Sequence, residues 1–415
     1  MKRLAMLSAA TVLAAAMLTP AHAEPVPRGT VIMVGGALSD VNKEIYREIV
    51  RRAGGERARI GVITAASVPP SQDPEAGKPL AANSVTNGRF YVDTLKRYGA
   101  DTVQWVPVDL DHVAAADSAT VVRQVASMTG FVFGGGDQYR LVTTLLHGAA
   151  HTDSRVLAAI RARFEQGAVV AGTSAGAQIQ AGRDMVTGGA SYQALRDGSH
   201  DGYFDDDTML ADLPAGGFGL FGAGLLDTHF SANGRLGRAV RLAADTGHER
   251  VFGIDPDTAL ETTGDSLKVL GRHGVSVIDL RGATTGVRDG YWSISGVRWT
   301  YLTDGAVYHP ATWSYEMPSG SPPLRPADRA AVSPVQDIFD SAAADREGFR
   351  LTRAALDLAG AGRSVSLLGE TYETNPVFEV ALRKGNGFRA YGNRSGAAIA
   401  FADLTVSMYS SARQP

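Results

Sequence analysis

The chain has 415 residues, 44% of them hydrophobic and 20% charged, which suits a globular protein large enough to bury its own core. Lys plus Arg is 40 against 43 Asp plus Glu, a formal net charge of −3 that lacks the basic excess of a nucleic-acid binder. There is no cysteine, which excludes disulfides, thiol nucleophiles, thiolate zinc sites and iron–sulfur clusters.

The chain opens with Lys2-Arg3, an apolar run from Leu4 to Leu18, and Ala21-His22-Ala23. A charged start, an apolar stretch and an A-x-A site together read as a cleavable signal peptide over residues 1–23. The expected protein is therefore secreted or periplasmic, cut after Ala23. The apolar run falls short of the ~20 residues that a membrane span needs. No later stretch is longer, and no Cys follows the cleavage site to carry a lipid.

From residue 29 short apolar strands alternate with helical stretches. Thr30 to Val34 is an expected strand ending in Gly35-Gly36, and Asn42 to Ala53 a helix with Ile45, Ile49 and Val50 on one face. Arg59 to Thr64, Thr102 to Val106, Gly130 to Phe133 and Ala168 to Ala171 read as further strands. Phe90 to Tyr98, Val121 to Met128, Tyr139 to Leu146 and Asp153 to Gln166 read as helices between them. Continuous apolar strands separated by helices indicate a parallel sheet covered on both faces. Such a sheet binds its ligands beyond the carboxyl ends of its strands. After Val251 the rhythm changes to short antiparallel hairpins that finish a first domain, residues 24–318. The Pro-rich stretch 319–326 reads as a linker. Residues 327–415 read as a C-terminal accessory domain with a helix from Val335 to Leu358 and a few strands.

Gly172-Thr-Ser174-Ala-Gly176 follows an expected strand and opens an expected helix, Ala175 to Ala181. That context is what a nucleophile elbow requires: glycines let the chain turn sharply and leave the serine hydroxyl exposed. The Ala175 amide, at the helix start, is then placed to hold an oxyanion. Gly134-Gly135-Gly136-Asp137-Gln138 ends another strand, so its amides form an anion nest facing the same edge, with Gln138 as a substrate ligand. Asp137 is also suited to cap the following helix. Most histidines fall in loops, whereas His229 ends the apolar stretch Leu225-Leu-Asp-Thr-His-Phe230, with Arg235 and Arg238 close behind.

Together these pieces resemble the cyanophycinase family, serine peptidases of family S51 in the wider peptidase E group. The matching motifs are Gly134 to Gln138, Gly172 to Ala177, Asp227 to Phe230 with Arg235 and Arg238, and Gly253-Ile-Asp255 with Thr258-Ala259. Gly35-Gly36-Ala-Leu38, Ile45-Tyr46 and Ala53-Gly-Gly55 are similar to the family as well. The resemblance covers residues 29–285. It implies a flavodoxin-like α/β domain, similar to class I glutamine amidotransferase domains, with a mostly parallel sheet and helices on both faces. It implies Ser174 as nucleophile, His229 as base, and amides of Ala175, Gly135 and Gly136 around the oxyanion. Gln138, Asp227, Arg235 and Arg238 are the expected substrate contacts, although the two arginines are equally able to pair with local carboxylates. No cofactor or metal is implied. The expected partner is a peptide or polymer of the cyanophycin type, poly-aspartate with arginine on each β-carboxyl, cut to dipeptides. A second copy of the chain in a homodimer is a further candidate partner.

Two positions depart from the family pattern. The acidic residue usual after Gly-Ile-Asp is Pro256, so the triad acid is expected at Asp257, with Asp255 as the alternative. The arginine usual four residues after the histidine is Asn233. Two other readings stand beside the peptidase. One is a catalytically impaired binding protein on the same scaffold; the other is an α/β-hydrolase esterase, from Gly-x-Ser-x-Gly alone.

Overall fold

The computed structural model describes residues 29–204, 206, 208–326, 330–342 and 348–411. The expected signal peptide, residues 1–23, lies outside these.

One sheet has nine strands. Its parallel half runs Thr30–Val34, Val169–Thr173, Gly130–Phe133, Arg59–Ile63 and Thr102–Trp105, side by side in that order. The four inner strands of this half are buried along nearly their whole length because helices cover both faces, whereas the edge strand Thr102–Trp105 leaves Gln104 exposed. Ile45, Tyr46, Ile49 and Val50 of the helix Lys43–Arg52 pack on one side, and Val156, Leu157, Ile160 and Phe164 of Arg155–Glu165 lie in the core on the other. This is the α/β, flavodoxin-like architecture. Antiparallel strands Thr258–Thr263, Ser266–Gly271, Val307–His309 and Ser314–Glu316 extend it beyond Thr30–Val34. The carboxyl ends of Thr30–Val34, Val169–Thr173 and Gly130–Phe133 fall at one edge. Gly35-Gly36, Ser174 and Gly134 to Gly136 therefore share it.

A second sheet runs Leu225–Asp227, Arg250–Ile254, Gly274–Asp279, Tyr291–Thr303, Ala398–Ser410, Phe378–Gly392 and Ser366–Glu370. This corrects the expected division of the chain. Ala398–Ser410 pairs antiparallel with Tyr291–Thr303, with Trp299 opposite Leu404, so the C-terminal residues continue a sheet that begins at Leu225. One hydrophobic core runs from Val186 to Met408. The stretch read as a linker is strapped onto this sheet: Leu324 N donates to Ala390 O, and Pro323 bridges Tyr391.

Local differences have local causes. The helix expected from Phe90 begins at Ser84, because Asn83 and Thr86 form a capping box ahead of it. The helix expected from Val335 is Arg350–Gly360. Val335 N donates to Leu368 O, and Asp337, Asp340 and Phe349 all take positive φ, which a helix does not allow. The helix after Ser174 is one short turn, Ala175–Gln178.

Candidate active site

Ser174 sits between the strand Val169–Thr173 and the helix Ala175–Gln178 with φ 53° and ψ −120°. A non-glycine residue there costs of order 1–3 kcal/mol, so the surroundings must enforce it. They do so through the flanking glycines. A Cβ on Gly172 would lie 1.9 Å from Gly176 O, and one on Gly176 would lie 2.2 Å from Phe133 O. Ser174 N donates to Val34 O at 3.0 Å, which continues the parallel pairing past the strand end. Ser174 is left partly exposed between buried Thr173 and Ala175.

His229 follows the strand Leu225–Asp227 with φ 48°. Its amide donates to Gly35 O at 2.7 Å, which ties the second sheet to the edge of the first. Its Nε2 lies 2.9 Å from Ser174 Oγ. Gly36, which sequence reasoning did not single out as part of the site, lies against this ring: a Cβ there would fall 2.1 Å from Nε2. The turn after His229 is held from below. Phe230 N donates to Ile254 O, and Ser231 N donates to Asp255 Oδ1 at 2.8 Å. Phe349 N donates to Ser231 O, and Thr352 Oγ1 donates to Ser231 Oγ at 2.7 Å. The C-terminal segment thus braces the loop that carries the imidazole. Ser231 and Thr352 carry no motif, so only the fold reveals them.

Neither acid proposed from sequence meets the ring. Asp257 Oδ1 accepts from Ser39 N at 3.0 Å and Asn42 Nδ2 at 2.9 Å, which pins the glycine loop to the first helix. Asp255 is fully buried, and its other oxygen accepts from the Tyr301 hydroxyl at 2.7 Å. Burial pushes Asp255 up to about 6 despite these donors from Ser231 and Tyr301. Among the described residues no carboxylate accepts from the His229 ring. Burial, reinforced by Arg235, lowers the imidazole to about 4, against the weaker opposing pull of Asp227.

The expected substrate contacts are mostly engaged inside the protein. Asp227 has no exposed surface and takes Arg238 through two hydrogen bonds, Nε to Oδ2 at 2.8 Å and Nη2 to Oδ1 at 2.6 Å. Burial would raise the Asp227 carboxyl, but Arg238 and Arg235 hold it below the ordinary range. Arg238 also donates to Gly189 O, and Arg235 to Thr228 O. The two arginines therefore pair with a local carboxylate, the other of the two roles the sequence allowed them. Gln138 donates to Val186 O at 2.8 Å. Asp137 caps the helix Gln138–Leu145 by accepting from Tyr139 N.

The glycine nest does lie beside the serine. A Cβ on Gly135 would sit 3.3 Å from Ser174 Cβ. Its backbone hydrogen-bonds the buried Tyr91 hydroxyl, which burial pushes up to about 12. Among the described residues the amides of Gly136 and Ala175 donate to no backbone carbonyl. The arrangement is a serine hydroxyl, a neutral imidazole within hydrogen-bond reach, and unengaged amides at one sheet edge. Such a set is competent for acyl transfer.

The sequence model of peptidase family S51 matches residues 79–270. The chain is 31% identical over 252 residues to the cyanophycinase of Nostoc sp. strain PCC 7120, an alignment covering 60% of this chain and 73% of that one. It is 30% identical over 306 residues to the cyanophycinase of Synechococcus elongatus, covering 72% and 84% respectively. Among solved structures it is similar to a peptidase from an acI-B1 Actinobacterium, at 18% identity and TM-score 0.45, over 68% of this chain and 96% of that one. The chain therefore belongs to the cyanophycinase family of peptidases, family S51.

Proposed function

We propose that this protein is an exported serine-type exopeptidase that hydrolyses cyanophycin, or a related β-linked peptide, to dipeptides. The observation that carries the reading is the 2.9 Å approach of His229 Nε2 to Ser174 Oγ. With the ring proton on Nδ1, Nε2 takes the serine proton as Oγ attacks the substrate carbonyl. The carbonyl oxygen becomes an oxyanion, and the Ala175 and Gly136 amides are its donors. Return of the proton to the leaving amine gives an acyl-enzyme. Water, deprotonated by the same imidazole, then releases the second product. Incubating purified protein with cyanophycin and assaying dipeptide release tests this, with Ser174→Ala as control. Activity that survives that substitution would remove Ser174 from its role.

Export rests on the sequence of residues 1–23. Among the described residues no helix is long and apolar enough to cross a membrane. The mass of the mature N-terminus after expression in a bacterial host tests cleavage at Ala23.

That no carboxylate among the described residues meets the His229 ring favours a second reading, a binding protein whose catalytic power is lost. A serine-directed phosphonate separates the two. The peptidase is labelled at Ser174, and the binding protein is not.

A further inference from the structure

We propose that the stacked pair Tyr139 and Tyr203, with the Asp137 carboxylate that joins them, forms a subsite for a guanidinium side chain of the substrate. The inference rests on the peptidase reading and assigns to it the place where the cationic part of the substrate is recognised.

Asp137 lies two residues beyond Gly135, a path of about 7.6 Å between Cα atoms at most. Gly135 in turn packs on Ser174, so Asp137, to which both tyrosines are hydrogen-bonded, follows the glycine nest beside the nucleophile. The Asp137 carboxylate is fixed at both oxygens. Oδ1 accepts from Tyr139 N at 2.8 Å, and Oδ2 accepts from the Tyr203 hydroxyl at 2.8 Å. The two rings are parallel, with centroids 4.4 Å apart and an interplanar angle of 9°. They come from separate parts of the chain, one from the helix Gln138–Leu145 and one from the loop after His200–Asp201. That loop is itself pinned, because Thr187 Oγ1 donates to Gly202 O at 2.7 Å and Gly202 N donates to Asp212 O at 2.6 Å.

Despite this ordering the rings remain 38% and 40% exposed. Two flat π faces held against an oriented carboxylate and left in water suit a planar delocalised cation. A guanidinium stacks on such a ring while its N–H groups face the carboxylate; a compact ammonium gains less from the ring face. The side chain selected is therefore arginyl rather than lysyl.

The test uses the full chain with Ser174→Ala, titrated calorimetrically with β-Asp-Arg, β-Asp-Lys and β-Asp-Ala dipeptides. β-Asp-Arg should bind about tenfold more tightly than β-Asp-Ala, with β-Asp-Lys between. Adding Tyr203→Ala should remove most of that preference, and Tyr203→Phe, which keeps the stack, should retain part of it. Absence of an arginine preference in the parent, or its persistence in both Tyr139→Ala and Tyr203→Ala, overturns the subsite. The same substitutions in the serine-bearing protein keep the two readings apart. Dipeptide release from cyanophycin with KM unmoved by Tyr203→Ala sinks the subsite and spares the peptidase. Selective binding without any release sinks the peptidase and spares the subsite.

Discussion

Gly36 leaves no room for a side chain beside His229: a Cβ there would fall 2.1 Å from Nε2 and 2.2 Å from Cε1. The residue also has φ +102°, where an L side chain is strained. The imidazole is therefore positioned by an absence on the facing loop. Gly36→Ala should push the ring off Ser174 and lower kcat/KM by about 100-fold or more, since misplacement of about 1 Å costs that much. Circular dichroism should show the fold retained. Activity within threefold of the parent would show that the ring tolerates the displacement.

That contact also marks what the sequence conveys. Ser174 with its glycines, and His229 at a strand end, were legible because strand, sharp turn and helix leave a local pattern. The partners of those residues were not. Asp257 lies two positions after Asp255, and nothing in that spacing says that its carboxylate turns toward Ser39 and Asn42 instead of the imidazole. The two arginines were expected either on substrate or on local acids, and only the fold distinguishes these. Periodicity likewise reveals that Ala402 to Ser410 alternates buried and part-buried residues, yet not that one of its two partners is Tyr291–Thr303, a hundred residues earlier. The Pro-rich stretch at 319–326 broke the pattern locally, and that break read as a domain boundary.

Burial and Arg235 hold His229 at about 4, well below the ordinary imidazole. A general base works in its neutral form, so activity is lost as pH falls through that value, not through about 6.5. kcat/KM should be flat between pH 5.5 and 7 and decline below about pH 4.5, in a range where near-UV circular dichroism still reports the native fold. Arg235→Gln removes a positive neighbour and should move the acid limb upward toward the ordinary value. An acid limb near 6.5 in the parent would contradict the burial argument.

Asp227 and Arg238 form a buried ion pair beneath the histidine loop, 0% and 5% exposed. Removing one partner strands the other charge and costs about 3–5 kcal/mol. Arg238→Met should therefore lower the melting temperature by many degrees, with a proportionate loss of folded protein, instead of raising KM selectively. Asp227→Asn should do the same. A variant as stable as the parent with KM alone raised would return Arg238 to direct substrate contact.

If residues 327–415 were an accessory domain, a chain ending at Pro318 would fold and keep its activity. The sheet predicts otherwise. Without Ala398–Ser410 the strand Tyr291–Thr303 keeps Gly274–Asp279 on one side and loses its antiparallel partner on the other. Trp299 loses Phe401, which meets it edge-on at 4.9 Å. An edge so exposed invites aggregation. The same truncation removes Phe349 and Thr352, and with them two hydrogen bonds onto Ser231, two residues past the imidazole. The shortened chain should be recovered insoluble, or soluble without a cooperative thermal transition, and should release no dipeptide. A double substitution is a gentler probe of the brace: Thr352→Val with Ser231→Ala keeps the sheet and deletes the side-chain bond. It should melt cooperatively and lower kcat more than it raises KM, because it loosens the base without touching substrate.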